Sequence, residues 1–167
     1  MGHVQQNDRR RSMIYADTNF FTTLYCPGPR ASEAERLNEL AAQQNCGPFP
    51  MTFLGRLEFM NALQQAVFAT RHGVPGFHIT PEHALVLEAE FHEQLAEGRQ
   101  LFHAAPSEHE LEKQFHILVH RYTAKEGFRT YDILHVSSAL VLGCDKFWSF
   151  DAKAKKLAKL EGLAVNE

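Results

Sequence analysis

The sequence predicts an α/β domain in which a parallel β-sheet is sandwiched between helices. Two observations predict this class: short apolar runs alternate along the chain with longer amphipathic segments, and glycine, proline or capping residues stand at the junctions. Strands that alternate with helices pair in parallel, because each crossover helix packs back on the sheet. At 167 residues and 44% hydrophobic composition, the chain is long enough for one domain, which we expect over residues 13–167.

The predicted strands are short runs without polar alternation. The first of them, 14–16, is apolar on both faces, as expected for a strand covered by helices on both sides. The five predicted strands are residues 14–16, 49–53, 100–103, 146–150 and 162–165.

The predicted helices begin at capping residues and end at glycine-containing breaks. Ser32 with Glu35 and Ser107 with Glu110 have the spacing of N-terminal capping boxes, and Thr80 precedes Pro81 at a third helix start. Thr130 is expected to cap the helix that Gly143 ends. The predicted helices are residues 18–25, 32–44, 54–71, 81–98, 107–125, 131–142 and 152–160.

Composition restricts the class of protein. The net charge of −3 does not indicate a nucleic-acid binder, although a local basic patch would still allow one. Cys26, Cys46 and Cys144 are far apart and form no C-x-x-C motif, which argues against a disulfide framework or a zinc site and favours a reducing, cytoplasmic location.

No stretch approaches the ~20 apolar residues of a membrane helix. Residues 1–12 are polar, and we expect a disordered leader, a vector scar or a misassigned start.

Two acids follow directly on predicted strands. Asp17 comes after the run 14–16, and Asp151 comes after "KFWSF". Ligands bind beyond the carboxyl ends of parallel strands, so both acids are expected at one sheet edge. Each has a simpler explanation as the N-cap of the next helix.

Two further acids lie in apolar helices. Glu58 is surrounded by apolar residues in "FLGRLEFMNALQQAVF", and Asp132 opens the apolar helix of "RTYDILHVSSALVLG". Buried charges need partners. Glu58 has the alternatives of pairing with Arg56 or facing solvent, and Asp132 of interacting favourably with its helix dipole. His135, one turn after Asp132, is left open between orienting that carboxylate, touching substrate and packing.

Together the four acids indicate a metal site. Clustered carboxylates repel one another, and a divalent cation relieves that repulsion. Mg²⁺ prefers oxygen ligands, commonly one or two carboxylates with waters and substrate phosphate. Asn19 and Ser149 lie two residues from Asp17 and Asp151, where they are further ligands or support the ligands.

The chain resembles the PIN-domain ribonucleases, particularly the VapC-type toxins of bacterial toxin–antitoxin pairs. The stretches that carry the resemblance are "IYADTNFF", "RLEFMNAL" and "YDILHVSSALVLGCDKFWSFDAKAKKLAKLEGL". It implies a five-stranded parallel sheet and cleavage of RNA that depends on Mg²⁺ or Mn²⁺. The family's catalytic and metal-binding acids fall on Asp17, Glu58, Asp132 and Asp151. Its supporting polar residues fall on Thr18 or Asn19 and on Ser149.

Substrate phosphates also need cationic partners. Lys153, just after Asp151, is the first candidate, followed by Arg56 and Arg129, which flank Glu58 and Asp132. The lysines of this helix have the alternative of a solvated face. One or two metal ions would satisfy the acids.

Two readings from other classes remain. One is a PIN-like module that binds RNA or protein with little catalysis. The other is a phosphatase with Asp17 as nucleophile, but Asn19 stands where a second Asp is expected. Phe20, Phe21, Leu24 and Tyr25 are expected to leave an apolar patch, which would suit a homodimer or the helix of a small antitoxin.

Overall fold

The computed structural model describes residues 12–26, 28 and 30–167. The strands are β1 (Ile14–Ala16), β2 (Phe49–Met51), β3 (Leu101–His103), β4 (Lys146–Trp148) and β5 (Ala164–Val165). The helices are α1 (Thr18–Tyr25), α2 (Ala31–Gln43), α3 (Phe53–Arg71), α4 (Pro81–Glu97), α5 (Glu108–Leu118), α6 (Ala124–Glu126), α7 (Thr130–Val141) and α8 (Ala152–Leu160). The leader predicted for 1–12 lies outside the described residues except at Ser12.

Every strand pairing in the described residues is parallel, which confirms the predicted α/β class. The strands form a three-stranded sheet, in the order β1-β4-β5, and a separate two-stranded sheet of β2 and β3. The single five-stranded sheet implied by the family resemblance is therefore not seen in this part of the chain. Strands of three residues offer few backbone groups for a continuous ladder. Side chains make the contact between the sheets, with the rings of Phe49 and Trp148 5.9 Å apart.

Strand β1 of the three-stranded sheet is buried on both faces. Ile14 and Ala16 belong to one apolar cluster, and Tyr15 between them belongs to the other. This alternation follows from the period of two along a strand. In the first cluster, Phe59 of α3 stacks on Phe91 of α4 with ring centroids 4.2 Å apart. The sheet therefore holds α1 and α3 on one side and α7 and α8 on the other.

The helix boundaries confirm some of the predicted signals and correct others. Thr80 caps α4, with Pro81 in its first turn, and Ser107 caps α5. The capping box at Ser32 is wrong, because α2 already begins at Ala31. The predicted helix 107–125 is divided by a π-helical turn, Val119–Thr123, between α5 and α6.

The apolar patch expected on α1 is also wrong. Phe20 is 0% exposed and Phe21 1% exposed, and Leu24 and Tyr25 pack against the core. Large exposed apolar side chains are found instead on α3, at Phe53, Leu57 and Phe68, and on α4, at Leu85 and Val86. None of the described helices combines the length and hydrophobicity that crossing a bilayer requires.

Candidate active site

A cavity of about 630 Å³ opens beyond the carboxyl ends of β1 and β4. Its wall includes all four acids singled out from the sequence, Asp17, Glu58, Asp132 and Asp151. Asp17 follows β1, Asp151 begins α8 shortly after β4, and the other two come from α3 and α7. The topology thus brings together residues that are more than 130 positions apart in the chain.

Asp17 is the most buried of these acids, with 5% of its surface exposed. Its Oδ1 accepts a hydrogen bond from the backbone N–H of Phe20 at 3.2 Å. Burial raises the pKa of Asp17 from 3.8 to about 6, against the lowering effects of His135 and of the hydrogen bond from Ser149. The nearby charge of Asp151 raises it further. Asp17 is therefore held in a position that disfavours its own ionised form.

Glu58 is fixed by two side-chain donors. Its Oε2 lies 2.5 Å from Nε2 of His135 and accepts a 2.8 Å hydrogen bond from the hydroxyl of Thr18. The other ring nitrogen of His135, Nδ1, lies 2.9 Å from the hydroxyl of Tyr15. A chain of contacts thus runs from the buried strand β1 through His135 to the cavity wall.

The charges of His135 and Glu58 in this series of contacts stabilise each other. Burial alone would lower the pKa of His135, but Tyr15, Glu58 and Asp17 together raise it from 6.5 to about 10. Burial opposes the ionisation of Glu58 as well. The hydrogen bond and the charge of His135 outweigh this effect of burial, so the pKa of Glu58 is lowered. At neutral pH the two form a charged pair in which imidazolium Nε2–H donates to the carboxylate.

Arg129 joins the other two acids. Its Nη2 lies 3.3 Å from Oδ2 of Asp151, and its Nε lies 3.6 Å from Oδ2 of Asp132. The backbone N–H of Arg129 also donates to Asp132 at 3.1 Å. The Arg129 side chain is 67% exposed, so it is held at the cavity by charge rather than by burial.

A polar network supports the loop between β4 and α8. The amide oxygen of Asn19 accepts from the backbone N–H of Phe150 at 2.8 Å, and the Asn19 amide nitrogen donates to the hydroxyl of Ser149 at 3.2 Å. That hydroxyl accepts from the backbone N–H of Asp151 at 2.8 Å. Asn19 and Ser149 therefore connect the residues after Asp17 to the backbone of Asp151.

Asp17 and Asp151 line the shared cavity and also act as N-caps, as the simpler explanation from the sequence predicts. Asp17 caps α1, and Asp151 caps α8 through the N–H groups of Lys153 and Ala154. In both cases capping uses one carboxylate oxygen, Oδ1. The capping role fixes the side-chain orientation and leaves the second oxygen for other contacts.

The predicted phosphate-contact residues lie elsewhere. Neither Lys153 nor Arg56 lines the cavity as far as the described residues define it. Nζ of Lys153 donates to the carbonyl of Gly127 at 3.2 Å, and the Arg56 guanidinium lies over the ring of Phe53, 5.6 Å from its centroid. The arginine that the cavity wall does include is Arg30, in addition to the paired His135.

Sequence reasoning missed the partners of two acids. His135 was expected to interact with Asp132 if with any carboxylate, but it pairs with Glu58, 77 residues away. Arg129 was a weak phosphate candidate, and it bridges Asp132 and Asp151. The presence of His135 and Arg129 close in sequence to Asp132 indicates that they interact with carboxylates. Sequence spacing does not show which carboxylate each of them contacts.

The donor set suits a hard cation in an open arrangement. Within residues 12–26, 28 and 30–167, no three Asp, Glu, His or Cys side chains converge on one point as a closed metal site would require. Mg²⁺ needs only one or two carboxylates when water and phosphate complete its shell. Asp17 fits such a role, because burial and Asp151 both disfavour its charge and a cation would favour it.

Of the comparisons with known proteins, only the structural one supports the fold assignment. No protein-family model and no curated protein matches the chain. A crystal structure described as FitAcB from Neisseria gonorrhoeae is similar, with a TM-score of 0.56 and 14% sequence identity over 93% of this chain and 97% of that chain. At this identity the likeness shows a shared α/β fold over nearly the whole of both chains.

Proposed function

We propose that this protein is a PIN-like endoribonuclease that hydrolyses RNA phosphodiester bonds with Mg²⁺ or Mn²⁺. The observation that carries the proposal is that Asp17, Glu58, Asp132 and Asp151 all line one cavity at the carboxyl ends of the strands. The α/β fold shared with FitAcB over nearly the whole chain is of the class that the sequence motifs imply.

Asp17 and Asp151 are the proposed principal metal ligands, with Glu58 and Asp132 completing the acidic wall. A divalent cation held by these residues would supply an activated water and stabilise negative charge on the phosphate. Cations that this chain already provides reduce the repulsion between the four carboxylates. His135 balances Glu58, and Arg129 balances Asp132 and Asp151.

The other side chains orient these groups. Thr18 and His135 direct Oε2 of Glu58, while Asn19 and Ser149 hold the backbone beside Asp151. Arg30 is the proposed phosphate contact, because the cavity wall includes it, whereas the ammonium group of Lys153 donates to the carbonyl of Gly127.

A cleavage assay tests the proposal. The purified chain is expected to cut single-stranded RNA with Mg²⁺ or Mn²⁺ and to stop in EDTA. Asp17→Asn and Asp151→Asn should abolish cleavage, because each keeps the side-chain size and removes a charge that a divalent cation needs. Glu39→Gln, at an exposed position of α2, is the matched control and should cut normally. Equal activity of all four proteins would contradict the proposal.

One observation favours the alternative of a binding module without catalysis. Three of the four acids already have a cationic side chain of the protein within 4 Å, and no closed metal cluster is found in the described residues. Isothermal titration with Mn²⁺ separates the two functions. Binding that Asp17→Asn abolishes supports the nuclease, whereas RNA binding without any metal binding supports the module.

We further propose that the protein is a toxin with a small antitoxin and forms a homodimer. An acidic cavity attracts an Arg or Lys side chain from a protein partner as well as a metal ion. The exposed apolar side chains of α3, Phe53, Leu57 and Phe68, are a suitable dimer surface. Expression of the chain in a bacterium should arrest growth while Asp17→Asn does not, and Leu57→Glu should convert a dimer to a monomer in sedimentation. Harmless expression or an unchanged sedimentation coefficient would contradict these proposals.

A further inference from the structure

The cavity wall also contains side chains that neither acid–base nor metal chemistry needs. Two are aromatic and exposed: Tyr131 is 56% exposed and Phe77 is 40% exposed. Two are exposed amides, Asn61 and Gln65. Large rings that are exposed to water beside an acidic cavity lack the burial that normally stabilises them, and their exposure indicates that a ligand covers them.

Phe77 is held in place by a defined turn. Pro75 and Gly76, with a φ of 87° at Gly76, form the centre of a turn closed by the N–H of Phe77 on the carbonyl of Val74 at 3.4 Å. Beyond it, the N–H of Ile79 donates to the hydroxyl of Thr70 on α3 at 2.9 Å. The backbone beside Phe77 is therefore tied to α3, the helix that carries Glu58.

The amides continue the same helix face. Glu58, Asn61 and Gln65 are spaced at i, i+3 and i+7 on α3, and all three line the cavity. This spacing places them in one row on the helix surface. The row extends roughly 10 Å from Glu58 to Gln65, at 1.5 Å per residue.

Tyr131 flanks the acids on α7. It directly precedes Asp132 in the first turn of that helix, and both residues line the cavity. The acids thus have an exposed ring next to them and a row of amides leading away from them. These groups are neutral, so they suit the uncharged part of a substrate better than its phosphates.

We infer that Tyr131, Phe77, Asn61 and Gln65 form a subsite for the unpaired bases of single-stranded RNA. This inference rests on the proposed ribonuclease function and assigns the residues that contact the bases of its substrate. Aromatic side chains stack on base faces, which are free in a single strand, and amides donate to and accept from base edges. In a duplex those faces are covered by neighbouring bases. A neutral base also enters an acidic cavity without the repulsion that a phosphate meets.

Binding measurements in a non-cleaving background test the subsite. Asp17→Asn protein is titrated with a short, labelled single-stranded RNA of mixed sequence, and fluorescence anisotropy gives Kd. Adding Tyr131→Ala or Phe77→Ala should weaken binding about tenfold each, as expected for one lost stacking contact. Tyr131→Phe keeps the ring and should bind like the background. Leu85→Ala is the control, since that apolar side chain is 64% exposed on α4 but does not line the cavity.

The amides are tested by base preference. The double variant Asn61→Ala, Gln65→Ala should reduce the ratio of Kd values between different homopolymeric RNAs more than it reduces the mean affinity. Thermal unfolding of every variant should match that of the background, because the four side chains are largely exposed.

Two results would overturn the subsite: unchanged Kd in both ring-to-alanine variants, or binding of duplex RNA as tight as that of the single strand. The cleavage assay on the unmodified protein separates this failure from that of the proposed function. If the unmodified protein cleaves RNA but the ring-to-alanine substitutions leave Kd unchanged, only the subsite is refuted. If the unmodified protein does not cleave RNA, the nuclease function is refuted whatever the Kd values of the variants are.

Discussion

Nε2 of His135 and Oε2 of Glu58 are 2.5 Å apart, and this contact joins the two halves of the cavity wall. His135 comes from α7, the helix of Asp132, and Glu58 comes from α3, the helix of Asn61 and Gln65. The His135 side chain is 7% exposed and that of Glu58 is 26% exposed. A charged pair at this depth is strongly coupled, since removing one partner leaves the other charge desolvated.

A double-mutant cycle should show this coupling. His135→Leu is expected to reduce the free energy of unfolding by about 3 kcal/mol, because Glu58 loses its cationic partner. In a Glu58→Gln background the same change should cost clearly less. Tyr15→Phe, which removes only the hydroxyl beside Nδ1, should cost about 1 kcal/mol. Urea unfolding gives all the values, and additive single-mutant costs would contradict the coupling.

The stability that His135 contributes should depend on pH. Its pKa is raised from 6.5 to about 10 in the folded protein, so the folded state binds the proton more tightly than the unfolded state does. The contribution is fully present below pH 6.5, declines above it and is lost as the pH rises through about 10. The difference in unfolding free energy between the unmodified protein and His135→Leu should therefore shrink from pH 7 to pH 10. A constant or growing difference would contradict the charged pair.

Asp17→Asn should stabilise the protein in EDTA. The pKa of Asp17 is raised from 3.8 to about 6, so ionisation opposes folding above pH 6 and has no effect below pH 3.8. The shift of about two units corresponds to roughly 3 kcal/mol at pH 7.5, and asparagine still accepts the capping hydrogen bond. The gain should vanish near pH 4, and Mg²⁺ should raise the melting temperature only of the unmodified protein. A destabilised variant at pH 7.5 would contradict this account.

Arg129→Gln should tighten the binding of divalent cations. Removing a positive charge within 4 Å of Asp132 and Asp151 lowers Kd for Mn²⁺ by about fivefold, or roughly 1 kcal/mol. The stability should change by less than about 1 kcal/mol, because the side chain is exposed. Arg121→Gln, which breaks an ion pair with Glu161 away from the cavity, is the control for calorimetry. Weaker metal binding by Arg129→Gln would show that Arg129 organises the carboxylates for the ion rather than competing with it.

Phe59→Ala should be the most damaging of the core changes. Phe59 is 0% exposed and stacks on Phe91, so truncation leaves a cavity between α3 and α4 and should cost about 3–5 kcal/mol. Phe68→Ala on the exposed side of α3 should cost less than about 1 kcal/mol. Chemical unfolding compares them, and similar costs would contradict the assigned packing of α3.

Local sequence signals were sufficient for much of the fold. Thr80 with Pro81 marked the start of α4, and apolar runs marked the strands, because caps and side-chain periods act over three or four residues. The same reasoning placed Asp17 and Asp151 at strand ends and hence at one edge. The box at Ser32 failed because Ala31 already lies in the helix, and helix ends respond to their tertiary surroundings.

The sequence by itself therefore determined the order of the elements, the parallel pairing and the four acids that line the cavity. Only the tertiary structure decided that the strands form two sheets, that His135 meets Glu58 and that Arg129 bridges Asp132 to Asp151. The physical reason is the range of the interactions. Caps and periodicity are contained in a few neighbouring residues, whereas the partner of a side chain on α7 depends on how that helix packs against the sheet and against α3.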